Sequence, residues 1–347
     1  MLKFDKYGIF CEQAGIYIDP WKKVDKAIIT HAHSDHAKWG NNHYLSHHHS
    51  IPILRQRLGQ NINAQGVEYG EVININGVKI SLHPAGHIIG SAQVRLEYKG
   101  EIWVASGDYK LQLDGVSKPY ESVRCHHFVT ESTFGLPIYK FQESVEVHNQ
   151  INDWWRTNKA EGKNSIIIGY ALGKAQRILQ HLDATIGEVY AHGAVANLNE
   201  LLVDILPNLP IAKRIIATTT KSEIKGAMVV APPSAMGSPW LKKFEPYSIG
   251  VCSGWMQLRG ARRRRGADRG FVLSDHADWK QLNKAVIETG AENIYVTHGY
   301  KSIYAKFLRE NYGLNACEVD TLYEGEKLEG ESNVESENIE EPTISEE

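Results

Sequence analysis

Four potential metal ligands fall within the six residues His31-Ala32-His33-Ser34-Asp35-His36. They follow a short apolar run, Ala27-Ile28-Ile29-Thr30, which predicts a buried strand. If His31 and His33 leave the strand end with period-two alternation, both imidazoles point to one side. Asp35 and His36 come just after, where the chain turns towards a helix, and face a second point nearby. Neutral imidazole and carboxylate are the ligands of catalytic zinc, and ions roughly 3.5–4 Å apart suit hydrolysis of phosphoesters and amides. The run therefore asks for a strand that ends on a metal site.

Further donors stand at predicted strand ends. His87 lies in the glycine-flanked loop Gly86-His87-Ile88-Ile89-Gly90, Asp108 follows the strand predicted over Glu101 to Ala105, and His298 sits in Thr297-His298-Gly299. Each alone reads as a turn or capping residue. Their order and flanking glycines join them to the first run. Asp108 suits a bridging role, because each carboxylate oxygen has lone pairs for one ion.

The first part of the chain reads as strands: Gly15 to Pro20, a hairpin around Asn76-Gly77, Ala92 to Tyr98, Glu101 to Ala105 and His127 to Thr130. A helix is predicted over Glu143 to Thr157. Strand and helix then alternate to about Pro239, with strands at Ser165 to Gly169 and Glu188 to Tyr190 and helices from Gly173 and Asn197. That alternation indicates a parallel α/β insert. Buried strands return at Phe271 to Ser274 and Asn293 to Thr297, around a helix from Trp279 to Thr289. One domain is interrupted by another.

The run His31–His36, followed by Gly86-His87, Gly107-Asp108 and Thr297-His298-Gly299, resembles the metallo-β-lactamase superfamily. Glu131-Ser132-Thr133-Phe134-Gly135 and Ser274-Asp275-His276-Ala277-Asp278 resemble the added motifs of its β-CASP branch, a group of nucleic-acid hydrolases. Gly254-Trp255-Met256, Arg262 to Arg265 and Asp275 to Trp279 resemble the bacterial ligase-associated DNA exonucleases within it. The resemblance covers about residues 5–322. It implies an α/β fold: an αββα metallo-β-lactamase sandwich (residues 1–139 and 256–325) interrupted by an α/β β-CASP domain (140–255). It also implies two divalent metal ions, zinc first and manganese as a substitute. His31, His33, His87 and Asp108 would hold one ion, and Asp35, His36, Asp108 and His298 the other, with Asp19 orienting ligands from behind.

The chemistry so implied is in-line hydrolysis of a phosphodiester. His276 would protonate the departing 3′ oxygen or bind the scissile phosphate, and Glu131 would hold its imidazole in the productive tautomer. Asp35, Glu131 and His276 are thus the expected catalytic residues. The subgroup points to a DNA exonuclease of DNA repair, working with a DNA ligase or helicase. His298 matches the RNA-directed members and keeps an RNA-processing nuclease as the alternative. A small-molecule hydrolase would leave Glu131, His276 and the insert without a role. A non-catalytic nucleic-acid-binding subunit would not need the full ligand set.

Charge is divided unevenly. Residues 326–347 contain nine Glu and one Lys, so this segment carries −8 and residues 1–325 carry +5 of the overall −3. A tail of that composition is expected to be disordered, and a basic body suits an anionic substrate. Arg262-Arg263-Arg264-Arg265, near His276, suits phosphate contacts, because guanidinium pairs with phosphate bidentately. No window approaches the roughly 18 apolar residues of a membrane span, and Met1 to Asp5 lacks a signal-peptide core. The four cysteines, Cys11, Cys125, Cys252 and Cys317, are scattered as in a reducing cytoplasm.

Other signals read as structural. His47-His48-His49 should diverge in direction, as consecutive residues do. Gly169 to Ala175 is one residue short of a Walker loop, although a helix starting there offers N–H groups to a phosphate. Trp154-Trp155 reads as packing rather than base stacking.

Overall fold

Apolar residues on alternate positions decide how the strands stack. Ile28 faces one way into a core with Ile18, Leu45 and Val67, while its neighbours Ala27 and Ile29 face the other. Trp103 and Ala105 share the first core, and Val104 points away from it. Two sheets follow from this period of two. The computed structural model describes residues 1–258 and 266–321. Arg262 to Arg265 and the acidic tail therefore lie outside the described residues.

The first sheet runs in chain order: Leu2–Phe4, Ile9–Cys11, Ile16–Ile18, Lys26–Ile28, His43–His47, Ala64–Val67. The second has the order Asn315–Glu318, Asn293–Gly299, His127–Ser132, Glu101–Ala105, Ala92–Tyr98, Val78–Pro84, Ile73–Ile75. Its last two strands form the expected hairpin. Asn76 and Gly77 both take positive φ, 52° and 84°, as a two-residue turn between twisted strands requires. The sheets meet through Leu82, Val94, Leu96 and Val129 against Ile18, Ile28 and Leu45. Helix Ile51–Leu58 covers the outside of the first sheet. Helices Trp279–Thr289 and Lys301–Tyr312 cover the outside of the second. The result is an αββα sandwich.

A third sheet is parallel throughout, in the order Lys213–Arg214, Val189–Ala191, Met228–Ala231, Asn164–Ile168, Tyr247–Cys252, Arg269–Phe271. Both faces are buried, as parallel sheets require: Ile167 packs with helices Ser144–Ala160 and Lys174–Gln180, and Ile166 and Ile168 pack on the opposite side. Trp154 and Trp155 are core residues here.

Four details differ from the sequence expectation. No helix follows Asp35 and His36: residues 34–36 form a turn, and the next element is strand His43–His47. The sheet takes in Arg269–Phe271, beyond residue 255, because that edge strand pairs with Tyr247–Cys252. The strand expected at Phe271 to Ser274 ends at Phe271, where the Leu273 N–H turns back to the Phe271 carbonyl at 3.0 Å. That turn sends Ser274 to His276 towards the sandwich. The helix expected from Asn197 starts at Gly193, where the His192 ring caps it by accepting from the Ala194 N–H.

Candidate active site

The expected ligands arise at or past strand ends at one edge of the sandwich. His31 to His36 follow Lys26–Ile28, His87 follows Val78–Pro84, and Asp108 follows Glu101–Ala105. Glu131 and His298 close strands His127–Ser132 and Asn293–Gly299. The last two strands are parallel to each other and to Glu101–Ala105, so their side chains emerge on the same edge.

Asp108 is the centre. Its Oδ2 lies 3.6 Å from Nε2 of His31, 3.5 Å from Nε2 of His36 and 3.9 Å from Nε2 of His87, and its Oδ1 lies 3.1 Å from Nε2 of His298. His31, His33 and His87 form one close group of donors, and His31, Asp35 and His36 form another. Asp35 is more open, with Oδ2 3.8 Å from Nε2 of His36. A carboxylate surrounded by imidazoles in two groups has the form of a bridge between two cations.

Hydrogen bonds test whether a cation fits. Nδ1 of His87 lies 2.7 Å from the Asp275 carbonyl, and Nε2 of His33 lies 3.2 Å from the Leu172 carbonyl. Carbonyls only accept, so each ring puts its hydrogen on that nitrogen. The remaining nitrogens, Nε2 of His87 and Nδ1 of His33, then face each other 3.1 Å apart as lone pairs. Two lone pairs at that distance suit a shared cation. His31 adds a buried Nε2 with no hydrogen-bond partner among the described residues. The donor set fits divalent metal ions.

Charge agrees with this fit. Burial, reinforced for His31 and His87 by neighbouring imidazoles, pushes both well below the usual histidine range, and burial lowers His33. These three rings stay neutral and keep lone pairs to donate. Burial also disfavours charge on His36, but the carboxylates of Asp108, Asp35 and Asp19 outweigh it and raise that ring well above its ordinary value. Burial opposes ionisation of Asp108, yet His36, His276 and His298 hold its carboxyl far down. Positive charge is stabilised at this point.

Asp19 lies behind this donor cluster. Its Oδ2 is 2.7 Å from Nδ1 of His36, and it accepts from the Thr30 N–H at 2.7 Å. The carboxylate holds the His36 hydrogen on Nδ1 and leaves Nε2 on the Asp108 side.

Glu131 and His276 meet directly, with Nδ1 of His276 2.9 Å from Oε2 and 3.2 Å from Oε1. The Tyr109 N–H and the Thr133 hydroxyl also donate to the Glu131 carboxylate, at 2.8 and 2.6 Å. Nδ1 of His276 lies 4.0 Å from Asp108, so the pair borders the same donor cluster.

Sequence reasoning missed how the insert reaches this site. Besides the Leu172 carbonyl, Arg177 donates to the Ser274 carbonyl at 2.5 Å and pairs with Asp275 at 3.1 Å. Lys174 lies 3.5 Å from the same carboxylate. Asp275 is held far below the usual carboxylate range: burial opposes this, but Lys174, Lys110 and Arg177 prevail. The one available signal was Gly173. Its φ is 89°, and a Cβ there would meet Cγ2 of Ile88 at 2.3 Å. The loop Gly169 to Ala175, whose helix start offers N–H groups to a phosphate, is thus packed against Ile88, next to His87. His47, His48 and His49, expected to diverge, lie together because strand His43–His47 gives way to the 3-10 turn His48–Ser50.

No family model matches the chain. Over 313 residues it is 28% identical to a "Probable DNA ligase" of Opitutus terrae, an alignment spanning 89% of this chain and 30% of that protein. It is 30% identical over 119 residues to "Endoribonuclease YSH1" of Eremothecium gossypii, covering 34% of this chain and 15% of that one. It is 25% identical over 199 residues to "Cleavage and polyadenylation specificity factor subunit 3-I" of Arabidopsis thaliana, covering 48% and 28%. The chain spans less than a third of the length of each of these relatives. The crystal structure of a protein of unknown function from Enterococcus faecalis V583 shares the fold, with a TM-score of 0.57 and 12% identity over 80% of this chain and 76% of that one.

Proposed function

We propose that this chain, a β-CASP member of the metallo-β-lactamase superfamily, is a two-metal phosphodiesterase that degrades DNA from its ends during repair. The observation that carries the reading is Asp108 among His31, His36, His87 and His298, beside the Glu131–His276 pair. A small-molecule hydrolase would need the ligands but not that pair.

The ligands His31, His33, His87 and Asp108 would hold one ion and Asp35, His36, Asp108 and His298 the other, zinc first and manganese as a substitute. When bound, such ions supply Lewis acidity at the phosphate and lower the pKa of coordinated water. The chain's residues do the rest. Glu131 accepts the Nδ1 hydrogen of His276 and stabilises the ring as an imidazolium, whose Nε2–H passes its proton to the departing 3′ oxygen and leaves the neutral Nδ1–H tautomer. Asp19, Leu172 and Asp275 keep the ligand rings in the tautomers that bind. Arg262 to Arg265, outside the described residues, would contact phosphates.

DNA is favoured by the alignment with the Opitutus protein, which spans most of this chain and under a third of a protein named as a ligase. The same unit joined to a ligase suggests that the free chain serves ligase substrates, with a DNA ligase or helicase as partner. Among the described residues no helix is long and apolar enough to cross a membrane, and the reading implies the cytoplasm. RNA processing is the second reading, favoured by His298 and by the shorter alignments with endoribonucleases. End-labelled DNA and RNA of matched sequence, digested side by side, test the choice. Degradation of RNA with DNA left intact overturns the DNA assignment and spares the nuclease.

A further inference from the structure

We propose a separate metal site for a single zinc ion, formed by His47, His48, His49 and Glu68. Consecutive side chains diverge along a strand, but here the strand ends at His47 and the next residues form a 3-10 turn. The ring centroids lie 4.3 Å apart for His47 and His48, 4.0 Å for His48 and His49, and 4.9 Å for His47 and His49. One ring nitrogen from each lies within 4.8 Å of the others. Gly66 on the adjacent strand permits this packing, because a Cβ there would fall 2.9 Å from the Cα of His48.

The fourth donor comes from that adjacent strand. His47 is paired in register with Val67, and the next residue, Glu68, places Oε1 3.2 Å from Nδ1 of His48. His47 is buried, stacked on Tyr69 at 3.6 Å between centroids, and its Nε2 has no hydrogen-bond partner among the described residues. A buried ring nitrogen without a partner is costly unless a ligand satisfies it.

Ligation through Nε2 of His47 places its hydrogen on Nδ1, so the long 3.3 Å contact from the His49 N–H opens as the ion enters. Three imidazoles and one carboxylate are a donor set that zinc takes in four-coordinate sites.

The site touches the catalytic region through one neighbour. Ser50 ends the turn and its hydroxyl donates to the Gly90 carbonyl at 3.0 Å, in the loop that carries His87. None of the four proposed ligands belongs to the nuclease site.

The test is zinc stoichiometry of the whole chain by equilibrium dialysis and atomic emission, with hydrolysis of a small chromogenic phosphodiester as a parallel readout. His48→Ala/His49→Ala should bind one zinc ion fewer than the wild type and hydrolyse the small ester at an unchanged rate. Glu68 is 69% exposed, so Glu68→Gln keeps the fold and should weaken one zinc equivalent at least about tenfold. Equal zinc content and affinity in the wild type and both variants overturns the site. Should the double variant fail to fold by circular dichroism, Glu68→Gln alone decides, by the same two outcomes.

Discussion

The Nε2 of His33 lies 3.2 Å from the carbonyl oxygen of Leu172, which joins the ligand loop of the sandwich to the inserted unit. The contact sets the tautomer of His33 and so aims a lone pair at the point shared with His87. The insert is therefore part of the donor geometry as well as a neighbour of it.

Gly173, next to Leu172, is the most exacting residue of that contact. Gly173→Ala forces a Cβ to 2.3 Å from Ile88 at a φ of 89°, which displaces the loop. Metal affinity should fall about 10–100-fold, the range for partners behind metal ligands, with the circular dichroism spectrum retained. Chelator competition reads the effect. Unchanged affinity would mean that the insert does not tune the ligands.

Asp108→Asn keeps the shape and removes the charge among four imidazoles. Bound metal and activity should drop together, by more than about 100-fold. Metal analysis by atomic emission checks the first and digestion of labelled DNA the second. An active Asn variant with full metal content would rule out the bridging role.

His276→Ala and Glu131→Gln should behave differently from the ligand variants. Turnover should fall about 10²–10⁴-fold, the range for general acid–base groups, while metal content stays near wild type. Loss of the acidic group should also flatten the alkaline limb of the kcat–pH profile. Parallel loss of metal and turnover would make the pair structural.

His148 gives a pH prediction away from the ligands. Burial, with smaller repulsion from His181 and Arg177, lowers it to about 3. Unfolded chains take up its proton below about 6.5, whereas the folded chain does so only near 3. The unfolded state then binds more protons between those values, so stability falls as pH drops from 6.5 towards 3. At pH 5 this one group costs about 2 kcal/mol relative to pH 8. Urea midpoints at both values should show His148→Phe losing less than the wild type on acidification. An identical loss in both would exclude His148 as a source of acid sensitivity.

Much of the sandwich was legible in local patterns. The apolar runs around Ile28 and Val104, the Asn76-Gly77 turn and the glycine-flanked His87 each act within a few residues. Strand ends bring such residues out on one edge whatever the distant chain does. The run His31 to His36 was legible as four donors close in sequence, although it begins three residues past strand Lys26–Ile28 and does not follow the strand period.

What the tertiary structure alone decided involves partners far apart in sequence. Nothing near His33 announces Leu172, and nothing near His87 announces the Asp275 carbonyl. The edge strand Arg269–Phe271 joined the third sheet because Tyr247–Cys252 offered an unpaired edge, a fact absent from its own three residues. The convergence of His47, His48 and His49 depended on Gly66, in a neighbouring strand, having no side chain. Residue types and spacing specify which atoms can bind or donate. Packing of one unit against another specifies which of them meet, because hydrogen-bond direction and excluded volume act across space rather than along the chain.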